Sequence, residues 1–152
     1  MTPLSDLLPH TAPMILLSGY EEPAGEDSVV AFVDVDQAAP FYEQALGGVP
    51  ACVALEYMAQ TMAVLVGLAR RRKGLKPRLG FVLGSRKLET KIPCFRDGES
   101  YRIAATCTYE DESFGSFDCV ITDRGGKEVA KATMTAFQPD GEITTEKIKE
   151  FA

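Results

Sequence analysis

The stretch 51–69 constrains this chain most, because Glu56, Gln60 and Thr61 are the only polar side chains in it. A helix that is apolar on nearly every side has to be buried on nearly every side. Pro50 suits the start of such a helix. Arg70, Arg71, Arg72 and Lys73 complement the dipole at its far end, and Gly74 fits the position just past it. The rival reading is a bilayer span, for which about 20 apolar residues suffice. Glu56 and Gln60 are costly in lipid, and the flanking sequence reads as strands that need a core element. The expectation is therefore a core helix and no membrane span.

The flanks supply the wrapping. Residues 3–8 predict one helical turn, and the apolar run 14–17 predicts a buried strand. Residues 28–35 alternate and are β-branched, a second strand. Residues 37–50, with Pro40, Gly47, Gly48 and Pro50, read as a loop. After Gly74 the period changes to two, with strands expected near 79–88, 99–110, 114–122 and 127–138 and a hairpin turn at 123–126. Gly80, Gly84 and Gly98 mark tight turns or close backbone approach. This order predicts an α+β fold, one antiparallel sheet around one long helix. At 152 residues the chain is one domain by size, taken here as 1–152. That length buries roughly two thirds of the unfolded surface, so no metal or disulfide is needed to hold it.

Composition narrows the function. A net charge of −6 argues against a nucleic-acid binder. Nucleotide, serine-hydrolase and zinc-protease motifs are absent. The four cysteines form no CxxC pair and there is one histidine, so no metal site is expected. Residues 1–8 carry no signal-peptide pattern. Free thiols in a reducing cytoplasm are the expectation. Residues 70–102 hold eleven of the sixteen lysines and arginines against three acids. An acidic protein with one basic stretch fits a phosphate-bearing or acidic partner docking there. The plain alternative is that these cations are simply solvated.

Two side chains carry most of the candidate chemistry. Glu56, among Val53, Leu55, Tyr57, Ala59 and Met62, is expected to be desolvated, which favours the protonated acid. The helix N-terminus opposes this by favouring the anion. A buried glutamate satisfied by backbone donors is the plain alternative. Gln60 lies at i+4, on the same face. His10 is the only imidazole and the only side chain that ordinarily titrates near neutrality. Beside Pro9 and Pro13 it also reads as a packing histidine. Tyr42 is another possible proton carrier, although tyrosine is usually an amphipathic core residue.

These residues bear a resemblance to a known family. "LLPHTAPMILLSGY" (7–20), "PACVALEYMAQTMAVLVG" (50–67), "GFVLGSRKLETKIPCFRDGESYRI" (80–103) and "KEVAKATMTAF" (127–137) resemble stretches of the hotdog-fold 3-hydroxyacyl-[acyl carrier protein] dehydratases. The PHTAPM and GFVLGSR variants are most similar to the ApeP-like dehydratases of aryl polyene biosynthesis. The resemblance implies a sheet wrapped around the helix and a dimer with sites at the interface. It implies dehydration of a (3R)-hydroxyacyl thioester on acyl carrier protein to the trans-2-enoyl thioester, without a cofactor. Glu56 matches the helix acid, and Gln60, Ala51, Cys52, Tyr42 and Gly80 fall at substrate-binding positions. The family's loop histidine is missing, since "PFYEQALGGVP" (40–50) is shorter and has none. Tyr42 or Ala45 stands in its place, depending on the alignment. His10 is then the candidate base, unless a second dehydratase subunit completes the site. A thioesterase using Glu56 and a non-catalytic acyl-binding subunit are the alternatives. For the acidic carrier protein the candidate docking residues are Arg70, Arg71, Arg72 and Arg78, with Arg86 and Lys87 beside them.

Overall fold

A computed structural model describes residues 1–76 and 80–138. The chain runs through α1 (Leu4–Leu7), β1 (Gly19–Tyr20), β2 (Ser28–Asp34), β3 (Gly48–Pro50) and a 3₁₀ turn (Ala51–Val53) into α2 (Ala54–Arg72). Then follow β4 (Phe81–Thr90), β5 (Cys94–Arg96), β6 (Ser100–Glu110), β7 (Phe114–Thr122) and β8 (Glu128–Phe137). Six strands form one antiparallel sheet in the order β1-β2-β6-β7-β8-β4, and β3 pairs with β5 as a separate ribbon.

The period-two pattern decides which face the helix meets. Ala31 of β2 lies opposite Ile103, which lies opposite Ile121, which lies opposite Ala130. One step along, Val29, Ala105, Cys119 and Ala132 form a parallel row. All eight are buried. Their small members leave room for α2, which packs on β6, β2 and β7. The helix that composition alone would allow through a bilayer is thus the core of the sheet. Three aromatic rings fasten its start. Tyr57 meets Phe95 edge-on at 5.1 Å, and Phe95 meets Tyr101 at 4.9 Å, which ties α2 to β5 and β6.

Helix α2 ends as expected. Gly74 adopts φ 71°, its N–H donates to Arg71, and the Leu75 N–H donates to Arg70. This closes a Schellman cap. Near the same end, α1 crosses α2 at Gly67. A Cβ there would lie 2.5 Å from the Leu7 carbonyl oxygen, so only glycine allows this approach.

Three expectations need correction. Residues 14–17 are not a strand, and the edge strand is the two-residue β1 further on. Leu16 and Leu17 are buried, but the backbone here bonds to a side chain of α2 instead of to a neighbouring strand. The loop 37–50 ends in β3, whose three residues are too few to show a period. At Gly48 a Cβ would run into the Phe95 carbonyl. Finally, α2 is not enclosed on all sides within the single chain. Leu55, Glu56, Ala59, Ala63 and Val66 form a half-exposed stripe beginning near exposed Cys52.

Candidate active site

Two elements from opposite ends of the sequence logic meet here. Helix α1, seated on Gly67, delivers Pro9 and His10 to the exposed stripe of α2. His10 Nε2 lies 3.9 Å from Glu56 Oε1. That exceeds hydrogen-bond reach, so the two face each other without a bond. His10 Nδ1 is buried and has no hydrogen-bond partner among the described residues. No neighbour therefore dictates which ring nitrogen carries the proton. The Glu56 side chain is 41% exposed and that of His10 32%. The expected desolvation of Glu56 is therefore not met within one chain, because its stripe of α2 has no cover.

Glu56 is held by Gln60. The Gln60 Nε2 donates to Glu56 Oε1 at 3.0 Å and to the Met14 carbonyl at 2.7 Å. Its Oε1 accepts from the Leu16 N–H at 2.9 Å. Gln60 itself is fully buried, and these three bonds use both of its donors and engage its oxygen.

His10 and Glu56 open onto a cavity of about 360 Å³. Ala59, Met62, Ala63 and Val66 of α2 form an apolar floor, and Phe114 and Phe117 of β7 face it. Gly80 lies on the same wall, with the Gln138 side chain against it. The end of β6 and its turn into β7, residues 110–113, also line the cavity. Asp111 shapes this turn by accepting from the Ser113 and Phe114 N–H groups at 2.9 and 2.7 Å. Those two bonds hold the Asp111 carboxyl below the usual carboxylate range. An apolar floor with one acid and one imidazole at its head suits an acyl chain ending in a reactive polar group.

The other expected site residues are scattered. Tyr42 is not part of this cavity. It packs on the core beside the β3–β5 ribbon, where burial and nearby Asp97 push its hydroxyl upward. The Ala51 N–H donates to the Pro93 carbonyl at 3.1 Å and is spent on structure. Cys52 is exposed in the 3₁₀ turn that leads into α2, four residues before Glu56. Arg71 and Arg72 are exposed, whereas the Arg70 Nε donates to the Lys76 carbonyl. Arg78 lies outside the described residues. Within the basic stretch, Lys91 is paired with Glu128 and Arg102 with Glu21. No cluster of metal-ligating side chains occurs among the described residues. Sequence reasoning missed the β7 wall. In that wall a Cβ at Gly115 would strike the Phe117 ring at 2.7 Å.

Comparison with known proteins gives a consistent result. A family model described as ApeP dehydratase, ApeP-like, matches residues 2–149. A search of curated proteins finds no match. Among solved structures, the dehydratase heterocomplex ApeI:P from Xenorhabdus doucetiae superposes with a TM-score of 0.87 at 28% identity. That match covers 99% of this chain and 97% of the other. A hypothetical thioesterase with coenzyme A from Streptococcus pneumoniae TIGR4 has a TM-score of 0.61 at 20% identity, over 85% and 91% of the chains. The E. coli PaaI protein has 0.60 at 13%, over 78% and 81%. The last two show the fold alone. The sheet wrapped around one helix is the hotdog fold.

Proposed function

The chain belongs to the ApeP-like dehydratase family, and from that premise we propose that it takes part in dehydrating a (3R)-hydroxyacyl thioester carried on acyl carrier protein. The product is the trans-2-enoyl thioester. The observation that carries the reading is the 3.9 Å approach of His10 to Glu56 at the head of an apolar cavity. His10 Nε2 takes the C2 proton, and the C3–O bond breaks as Glu56 protonates the departing hydroxyl, which leaves as water. His10 returns its proton to Glu56 across the same short gap. Substrate loses one water and the enzyme is restored, with no cofactor.

A fatty-acid or polyene-type acyl group suits the floor of Ala59, Met62, Ala63 and Val66. Exposed Arg71 and Arg72, one to two turns beyond Val66, suit the acidic carrier. We place the reaction in the cytoplasm, where the free thiols of Cys52, Cys94, Cys107 and Cys119 persist.

The chain acts here as half of a pair, with a second dehydratase subunit or a second copy of itself. Three observations support this. The stripe of α2 that carries Glu56 is half exposed. Strand β4 is a ten-residue sheet edge with Val82, Leu83 and Leu88 exposed, the kind of edge soluble proteins cover. The neighbour from Xenorhabdus doucetiae is a heterocomplex.

The test is water loss from 3-hydroxyacyl carrier protein, with the chain alone and with its co-purified partner. Glu56→Gln and His10→Ala should each cost about 10²–10⁴-fold in kcat, the usual worth of a positioned acid or base. An unchanged rate for Glu56→Gln rejects the mechanism. An unchanged rate for His10→Ala alone moves the base to the partner subunit. Thiol release from a saturated acyl thioester would instead identify a thioesterase. No turnover with or without a partner would identify an acyl-binding subunit.

A further inference from the structure

We propose that Gln60 is a positioning residue, a clamp that fixes the His10 segment and the Glu56 carboxylate against each other, and does not bind substrate. This rests on the assignment of His10 and Glu56 above. Gln60 is fully buried, and both of its donors are engaged within the protein. Its two N–H groups go to Met14 and Glu56, and its oxygen takes the Leu16 N–H.

The geometry points to a specific task. The oxygen that Gln60 grips is Oε1, the one that faces His10. The same amide holds Met14 and Leu16, the residues that follow His10 by four and six positions. That segment belongs to no helix or strand, so it lacks ladder bonds of its own. One fully buried amide therefore sets the position of both the acid and the imidazole. A site held within about half an ångström of its productive geometry needs such support.

The first measurement needs no variant. The Leu16 amide should exchange with deuterium slowly, like a ladder amide, although it sits in an irregular segment. Exchange as fast as in an open loop overturns the clamp, whatever the catalytic outcome. The second uses Gln60→Met, close in shape but without the amide's donors and strong acceptor. The single histidine gives one set of imidazole signals in NMR. Wild type should show Overhauser contacts from the His10 ring to the Glu56 side chain. Gln60→Met should lose them while keeping its near-ultraviolet circular dichroism. Contacts that persist in a folded variant refute the proposal. In the dehydration assay the same variant should lose kcat by about tenfold or more with KM unchanged, as for an interaction felt only in the transition state. A rise in KM alone would make Gln60 a substrate contact and overturn the assignment. The exchange and NMR results judge the clamp even if Glu56→Gln shows that the dehydratase reading is wrong.

Discussion

Gly67→Ala sets two physical effects against each other with opposite signs. In an exposed helix interior the change stabilises by about 0.5–1 kcal/mol, because alanine gives up less backbone entropy. At this position the new Cβ would lie 2.5 Å from the Leu7 oxygen, 3.2 Å from its carbonyl carbon and 3.3 Å from its Cα. Ordinary contact begins near 3.4 Å, so α1 has to withdraw by about 0.9 Å. All three obstacles are backbone atoms and cannot swing aside. Leu7 and Leu8 are 1% and 3% exposed, so withdrawal opens their packing. Overpacking of this kind costs about 1–3 kcal/mol. The net expectation is about 1–2 kcal/mol of destabilisation, a fall in Tm of about 2–8 °C for a chain of this size. Urea unfolding followed by circular dichroism measures it. Because α1 carries His10 to Glu56, the folded variant should also lose activity. A variant more stable than wild type would show that helix entropy outweighs the α1–α2 contact, and would refute the claim that Gly67 seats α1.

Other outcomes follow from the same structure. Phe95→Ala removes the middle ring between Tyr57 and Tyr101 and should cost about 3–5 kcal/mol, read by urea unfolding. Burial pushes the Cys119 thiol up to about 12, so at pH 8 on the order of one in ten thousand is thiolate. A thiol-reactive dye at that pH should label exposed Cys52 first and leave Cys119 silent until denaturant is added. Equal labelling of the native protein would contradict its burial. The depressed Asp111 carboxyl steadies the β6–β7 turn above the ordinary carboxylate range, and that contribution fades as pH falls through its lowered value. The Ser113 and Phe114 amide signals should move together in an acid titration. Arg71→Glu with Arg72→Glu should raise KM for carrier-linked substrate, less so at high salt, and leave a small thioester mimic unaffected. Equal effects on both substrates would dismiss docking at this end of α2.

Much of the fold was legible because it follows two periods. Residues 51–69 announced a core helix, and alternation after Gly74 announced four strands, with Gly74 and the turn at 123–126 ending elements as expected. The failures have physical causes. Residues 14–17 are as apolar as a strand, but their backbone is satisfied by Gln60, a partner 44 residues away from Leu16. Local pattern carries no trace of such a bond. Strands β3 and β5 are too short for a period. At the site, the residue types picked out His10 and Glu56, and the structure brings them together. The β7 wall could not be read, since Phe114 and Phe117 acquire a role only through pairing across the sheet. The degree to which Glu56 is buried was misjudged. Apolar sequence neighbours do not exclude water from a helix face that nothing in the same chain covers.

The two borders of the large sheet are unequal. On one side β1 is only two residues long, and the Tyr20 hydroxyl is tied back to the Thr2 carbonyl. On the other, β4 offers ten residues. A sheet able to extend in one direction alone can accept a single neighbour. If that neighbour is built alike, each consumes the other's growing end and a third has nowhere to attach. Growth through the sheet margin would therefore stop at a pair, because the two-residue border leaves no long edge on which a further sheet could build towards a fibre.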